Sequence, residues 1–219
     1  MKIEDLNWIG HAGFLIRDSG KNIYMDPFMI DGVEDKADIV FITHPHFDHL
    51  NQDDLKRIVT DKTTVIVPKS CAAEIKKGKV YPVEPNKEYE VEGIKFRTVP
   101  AYNVVSERLD KHPRTNNWVG YIADISGTKI YHPGDTDFIP EMNGLQTDIA
   151  LLPMSGTYTM DVNEAIEAAK AIKAGKVIPM HYKMVLGEEN SRLAEKLFKE
   201  KVKNSVFLKE IIPAKYSFQ

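Results

Sequence analysis

The run Ala37-Asp-Ile-Val-Phe-Ile-Thr43 leads directly into His44-Pro45-His46-Phe47-Asp48-His49. The first stretch is apolar in the way a strand covered on both faces is apolar. The second places three of the chain's seven histidines and an aspartate within six residues. Imidazole nitrogen and carboxylate oxygen suit zinc, iron or manganese. A tight turn after a strand can aim His44 and His46 to one side and Asp48 and His49 to another, so the segment can feed two metals. The bland alternative is a set of surface or hydrogen-bonded histidines, and four ligand-type side chains so close together argue against it.

Other strand ends carry complementary donors. Tyr131-His132-Pro133-Gly134-Asp135-Thr136-Asp137 follows a strand-like run, and its Pro-Gly turn exposes Asp135 where a carboxylate can bridge two cations. His132, just before the turn, reads as structural. Met180-His181-Tyr182 sets a histidine at the first position beyond another apolar strand. A lone histidine is more often structural than ligating, but three strand-end sites with matching donors reverse that expectation.

The surrounding pattern is mixed α/β. Strands are predicted at 3–9, 13–17 and 22–25, the last two joined through Asp18-Ser19-Gly20-Lys21 by hairpin chemistry. Asn51 should cap a helix over 52–59, followed by a strand at 63–67, a helix at 71–77 closed by Gly78, and a hairpin over 87–99 turning at Glu92-Gly93. Strands at 117–124 and 128–132, turned at Ser126-Gly127, precede a strand at 148–153. A helix over 162–173 should be stopped by Gly175 and followed by a strand at 176–180. A helix over 191–203, packing through Leu193, Ala194, Leu197 and Phe198, and a closing strand at 205–211 complete the pattern. Two packed sheets with helices outside use all these elements; a single sheet is the other arrangement the pattern allows. No linker divides residues 1–219, which are expected to form one domain.

His44-x-His46-x-Asp48-His49, then Gly134-Asp135-Thr136, then His181 resemble the ordered metal-binding motifs of the metallo-β-lactamase superfamily. The resemblance covers nearly the whole chain and implies an αββα sandwich of two mixed sheets flanked by helices. Trp8-Ile-Gly-His11-Ala-Gly-Phe14, Asp26-Pro27 and Gly156-Thr-Tyr-Thr-Met160-Asp161 are similar to the branch of ascorbate-6-phosphate lactonases and the N-acylphosphatidylethanolamine phospholipase D catalytic domain. Carried across, the family roles give His44 and His46 to one metal, Asp48, His49 and His181 to a second, and Asp135 to the bridge. The implied cofactor is two divalent ions, zinc foremost, with manganese, iron or nickel as alternatives. Such a pair acidifies a shared water and polarises the carbonyl or phosphoryl oxygen under attack, with Asp48 able to orient or deprotonate that water.

One departure stands out. The family supplies a third histidine to the first metal at the strand end corresponding to Pro100-Ala-Tyr102-Asn103, and here the residue is Asn103. An amide oxygen is a weak zinc ligand, so His112 is the candidate replacement if loop 104–116 folds back; contact with substrate is its other reading. His11 and Asp26 are candidates to hold a ligand ring in one tautomer, against ordinary turn or strand-start roles. Tyr158, Thr159 and Tyr182 are expected to line the pocket.

The implied reaction is hydrolysis of an ester, lactone or phosphodiester of a small molecule. Arg108, Lys111, Arg114 and Lys183 are candidates to receive an anionic group, which would favour phosphorylated substrates; a solvated loop is the plainer reading of 108–114. A net charge of −3 and pI near 6.2 argue against a nucleic-acid partner. So does a length that leaves no room for the RNA-gripping insertion of nucleases on this fold. An oxygen-using iron enzyme and a catalytically silent metal-binding protein are the alternatives. The absence of a signal peptide or membrane-length apolar run, and a lone Cys71 read as a small buried hydrophobe, point to the cytoplasm. Oligomeric state is not legible.

Overall fold

A computed structural model describes residues 2–33 and 35–211. The first sheet holds β1 (Leu6–Gly10), β2 (Gly13–Asp18), β3 (Lys21–Met25), β4 (Ile39–Phe41), β5 (Thr64–Pro68) and β6 (Lys79–Val83), in that spatial order. β1 to β3 are antiparallel, and β3 to β6 run parallel. The second sheet holds β7 (Glu88–Val91), β8 (Ile94–Pro100), β9 (Val119–Ile125), β10 (Thr128–His132), β11 (Gln146–Pro153) and β12 (Lys173–Met180). β7 to β10 are antiparallel, and β11 and β12 extend the sheet in parallel.

Period-two alternation decides which side chains fill the space between the sheets. Phe14, Ile16, Ile39 and Phe41 share one buried cluster with Phe96 and Tyr121 of the second sheet, whereas Leu15, Tyr24, Val40 and Val65 form another with Leu55 and Ile58. Phe41 meets Phe96 and Tyr121 at ring separations of 5.3 and 5.0 Å, and the Tyr121 hydroxyl donates to the Ile42 carbonyl at 2.7 Å. These contacts pin the sheets together just below the histidine turn. Leu55 and Ile58 belong to α1 (Gln52–Ile58), whose first amides at Asp53 and Asp54 are capped by Asn51.

On the far side, α2 (Val162–Ala171) starts at a reciprocal Asp161–Glu164 capping box and buries Ala165, Ile166 and Ala168. α3 (Lys183–Lys201) follows, interrupted at Gly187 with φ 71°. The layers are thus helix, sheet, sheet, helix, the expected sandwich. No helix among the described residues is long and apolar enough to cross a membrane. Cys71 is buried in the α1-side cluster, and burial raises its thiol pKa.

Several expectations are corrected. Residues 71–77 do not form an α-helix: a 3-10 helix spans Lys69–Glu74, and the chain then enters β6, which the sequence reading missed. Seven residues are too few to repay helix nucleation without a strong apolar face. Gly78, at φ 92°, instead turns the chain so tightly that a Cβ would lie 2.8 Å from the Thr63 carbonyl. β6 is an edge strand containing Pro82, which hides a strand signal. The 162–173 helix ends at Ala171, and Gly175 lies inside β12, where a side chain would strike the Asp148 carbonyl at 2.9 Å.

The closing strand at 205–211 is not formed. After one bridge between Ser205 and Val177, the chain crosses to the first sheet, where the Ile211 amide donates to the Trp8 carbonyl. A segment that spans two sheets cannot stay in register with one. β1 begins only at Leu6, because Ile3–Asp5 is a 3-10 turn, and the 37–43 run yields a three-residue strand. The last helix begins earlier than expected, and Leu193 faces solvent.

Candidate metal centre

The turn after β4 is closed by the amides of His49 and Leu50, which both donate to the His46 carbonyl. Beneath it lies Asp26, fully buried at the end of β3 with φ 43°. Its carboxylate accepts the Thr43 amide at 2.8 Å, the Thr43 hydroxyl at 2.6 Å and His49 Nδ1 at 2.7 Å. Because that hydroxyl donates to Asp26, its lone pair is free to accept His44 Nδ1–H at 3.0 Å. Nδ1 of His44 and of His49 is thus taken up by these bonds, and each ring turns Nε2 toward the interior of the turn. His46 Nδ1 lies 3.0 Å from His44 Nε2.

Asp135 reaches this cluster from the turn after β10. Its Oδ1 is 3.2 Å from His49 Nε2, and its Oδ2 is 3.2 Å from His181 Nε2 and 3.4 Å from His112 Nε2. Asp48 Oδ2 lies 2.9 Å from His11 Nε2, 3.6 Å from His181 Nε2 and 3.9 Å from His49 Nε2. Two sets of donors result, His44, His46 and His112 on one side and His11, Asp48, His49 and His181 on the other. Within each set the ligand atoms lie within 4.8 Å of one another. Asp135 touches members of both.

A cation fits here on chemical grounds. His49 Nε2, His112 Nε2, His181 Nε2 and Asp135 Oδ1 are buried without any hydrogen-bond partner, although they face one another. Orphaned buried polar atoms are costly, and cations among them would satisfy all four. The electrostatics agree. Burial raises the Asp135 carboxyl pKa, but the charges of His181 and His49 outweigh it and hold the group well below the usual carboxylate range. Burial lowers His181, yet Asp135 and Asp48 prevail and raise it to about 9, so these carboxylates draw positive charge to this spot and a bound cation would take the place of that proton. Burial, then the neighbouring His49 charge, keeps His44 neutral, the form that ligates.

His112 and Asn103 are brought together. Asn103 Oδ1 accepts the His112 amide at 3.0 Å and His112 Nδ1–H at 2.8 Å, which leaves His112 Nε2 facing Asp135. The Asn103 amide group donates to Asp137 Oδ1 at 2.9 Å and to the Tyr158 carbonyl at 3.0 Å.

Residues 5–181 match the beta-lactamase superfamily domain. A UPF0173 metal-dependent hydrolase of Thermoplasma acidophilum is 35% identical over 189 residues, covering 80% of this chain and 81% of its own. The chain belongs to the UPF0173 metal-dependent hydrolase family. A crystal structure of a protein from Parabacteroides distasonis ATCC 8503, described as a metal-dependent hydrolase, superposes with a TM-score of 0.81 at 30% identity, covering 94% of this chain and 93% of its own. A metallo hydrolase from Ignicoccus hospitalis shares the fold, with a TM-score of 0.74 at 23% identity over 94% of each chain.

In this UPF0173 chain the remaining site candidates separate. His11 bonds Asp48 directly, and its backbone carbonyl accepts the His181 amide at 2.9 Å, so it ties β1 to the last histidine. Burial, then His181, lowers its pKa to about 4. His132 is structural as expected, with Nε2 bonded to the Ala12 carbonyl at 2.8 Å. Tyr158 is exposed beside Asn103. Tyr182 is not a pocket residue: α3 starts at the next position and turns it inward, where its ring stacks on Trp8 and its hydroxyl donates to Glu195. Thr159 is buried against Ser155.

The four candidates for receiving an anion are paired within the protein. Arg108 is clamped by both Glu164 oxygens and by Asp137; Lys111 pairs with Asp110, Arg114 with Glu141 and Lys183 with Glu210. Each cation already has a carboxylate.

Three contributors escaped the sequence reading. Thr43 orients His44 through Asp26, and Trp118 packs about 5 Å from the rings of His44 and His46. Asp137 is fully buried and accepts from Asn103, the Val104 and Val105 amides, and Arg108. Its position two residues after Asp135 was the available signal.

The floor of the turn is also sterically fixed. Gly134 has φ 67°, and a Cβ there would sit 2.7 Å from Thr43 Cβ. Gly134→Ala is expected to cost about 2–4 kcal/mol from overpacking and left-handed backbone strain. It should also lower metal retention by pushing Asp135 away from Thr43. Denaturant unfolding with metal analysis checks both effects.

Proposed function

We propose that this chain hydrolyses an ester, lactone or phosphodiester of a small molecule with two divalent cations, zinc foremost and manganese, iron or nickel also compatible with the donors. The observation that carries the reading is the set of four buried, unpartnered atoms on His49, His112, His181 and Asp135 that converge between two donor groups. In this assignment His44, His46 and His112 hold one ion, Asp48, His49 and His181 the other, and Asp135 bridges. Three protein donors and a bridge leave coordination open for water and substrate, unlike a closed structural site. Bound cations would supply an acidified water and a Lewis acid.

The protein's own residues then have separable tasks. Asp26 and Thr43 fix the His49 and His44 tautomers. Asp48 is partly open to solvent at the centre; although burial raises its pKa, the His49 charge and bonds from His11 and His181 hold it ionised, a state that suits ligation and orienting an attacking water as a hydrogen-bond acceptor. A single buried Cys71 suits a reducing compartment, and the cytoplasm is the setting we assign.

The test is a hydrolysis panel on zinc-, manganese- and iron-loaded protein, spanning carboxylic esters, lactones and phosphodiesters, with oxygen consumption followed in parallel. At least one hydrolytic class should turn over, stop on chelation and resume when metal is restored. Metal-loaded protein that hydrolyses none of them would refute the reading, and oxygen uptake with the iron form would replace it with an oxygenase.

A further inference from the structure

Exposed apolar side chains are carried by residues next to the solvent-facing side of the centre. His44, His49, His112, Asp135 and His181 are all buried, whereas His46 and Asp48 reach solvent, so the approach lies on their side. Phe47 sits between them in the chain, 59% exposed, with its ring edge-on to Phe28 at 5.8 Å. Val104, 47% exposed, follows Asn103, the residue that holds His112. Tyr158, 44% exposed, gives its carbonyl to the same Asn103. The rings of His46, which precedes Phe47, and of His112, which Asn103 holds, are 4.9 Å apart, so the residues that carry these exposed side chains adjoin the first donor set from two directions.

Exposed large apolar side chains usually need no explanation when scattered, and their grouping beside a polar centre is what marks a binding surface. A cation already paired with a carboxylate holds a substrate anion less strongly than a free one, because the carboxylate opposes the added charge. Arg108, Lys111, Arg114 and Lys183 are each engaged by a carboxylate. A phosphate group placed on the substrate's tail would meet carboxylates with each of these cations.

We propose that the rim of Phe47, Val104 and Tyr158, with the buried Phe28 ring behind Phe47, receives the apolar acyl chain of a neutral carboxylic ester or lactone whose carbonyl lies at the metal centre. This rests on the hydrolase reading and narrows it, taking the acyl tail as the feature recognised and phosphorylated substrates as disfavoured. Phe47 is the specificity-determining residue, because it lies on the approach and between two residues of the centre.

The experiment separates binding from turnover. Straight-chain alkyl hydroxamates of two to eight carbons, whose head groups chelate metal, are titrated calorimetrically into zinc-loaded protein. Succinic monohydroxamate serves as the anionic-tail control. Each methylene withdrawn from water strengthens binding about fourfold, so partial burial predicts that the eight-carbon compound binds on the order of 30-fold tighter than the two-carbon one. The anionic control should bind no better than the two-carbon compound. Phe47→Ser should flatten the series to within a few fold while Phe47→Leu keeps most of the slope, with zinc content measured in both. In parallel, kcat/KM for p-nitrophenyl esters should rise with acyl length.

A flat series in the parent protein, tighter binding of the anionic tail, no hydroxamate binding at all, or an unchanged slope in zinc-replete Phe47→Ser would overturn the proposal. A steep hydroxamate series without any ester turnover would leave the apolar rim standing and refute the hydrolase reading. Length-independent ester turnover with a flat series would do the reverse.

Discussion

Asp135→Asn is expected to leave the fold intact, strip metal from the second donor set and lower kcat by about a thousandfold or more. Its two oxygens lie within 3.2–3.4 Å of the facing nitrogens of His49, His112 and His181, and among the described residues no other carboxylate bridges the two donor sets so closely. Asparagine keeps the shape and removes the charge. Its amide then offers one weak oxygen where two cations need a shared anion, and its nitrogen points a donor at an electropositive site. Loss of one cation forfeits several kcal/mol of transition-state stabilisation, which sets the size of the rate effect. The fold should persist because Asp135 carries none of the sheet register, and Gly134 still packs on Thr43. Metal content by mass spectrometry, single-turnover kinetics and far-UV melting are the measurements. A variant with two metals per chain and an unchanged rate would dismantle the bridging assignment.

How far the site could be read from sequence depended on how locally its parts are encoded. His44, His46, Asp48 and His49 sit in one turn, and Asp135 and His181 lie three residues and one residue beyond a strand, so apolar runs ending in donors pointed to them. Hairpins at Ser19-Gly20, Glu92-Gly93 and Ser126-Gly127 were equally local, because each turn puts both of those residues at positive φ. What escaped depends on partners far along the chain. Asp26 touches Thr43 and His49, 17 and 23 residues away, and the structure gives it the ring-orienting role that its sequence left balanced against turn chemistry. The cationic run 108–114 allowed an anion grip beside its plainer reading as a solvated loop, and the counter-charges at Asp137, Glu141 and Glu164 lie too far along the chain to be weighed with it. β6 was hidden by its proline and its exposed edge, where burial no longer imposes alternation.

The same limit shaped the reading of Asn103 and His112 as rivals for one ligand position. The structure makes them successive links: Asp137 holds Asn103, Asn103 holds His112 Nδ1, and His112 Nε2 faces Asp135. The expected consequences are therefore graded. His112→Ala should weaken the first metal by more than about 100-fold and bring bound metal toward one per chain, since only His44, His46 and the bridge would remain. Asn103→Ala, which removes the oxygen that holds the imidazole, should cost about 10–100-fold in affinity at that site. Asp137→Asn should fall in the same range, because its new amide nitrogen turns a donor toward Arg108 or Asn103 where a carboxylate oxygen had accepted.

Chelator competition and the visible spectrum of the cobalt-substituted protein read the first site in each variant. Thr147→Ala, which removes hydroxyl bonds to the Lys129 and Ile149 carbonyls at the start of β11, controls for lost stability alone. Added imidazole separates the roles: it can fill the space left in His112→Ala and restore the metal, whereas in Asn103→Ala the ring is already present and only its orientation is lost. Full metal retention in His112→Ala, or a first site in Asn103→Ala no weaker than in Thr147→Ala, would break this chain of contacts at the link tested.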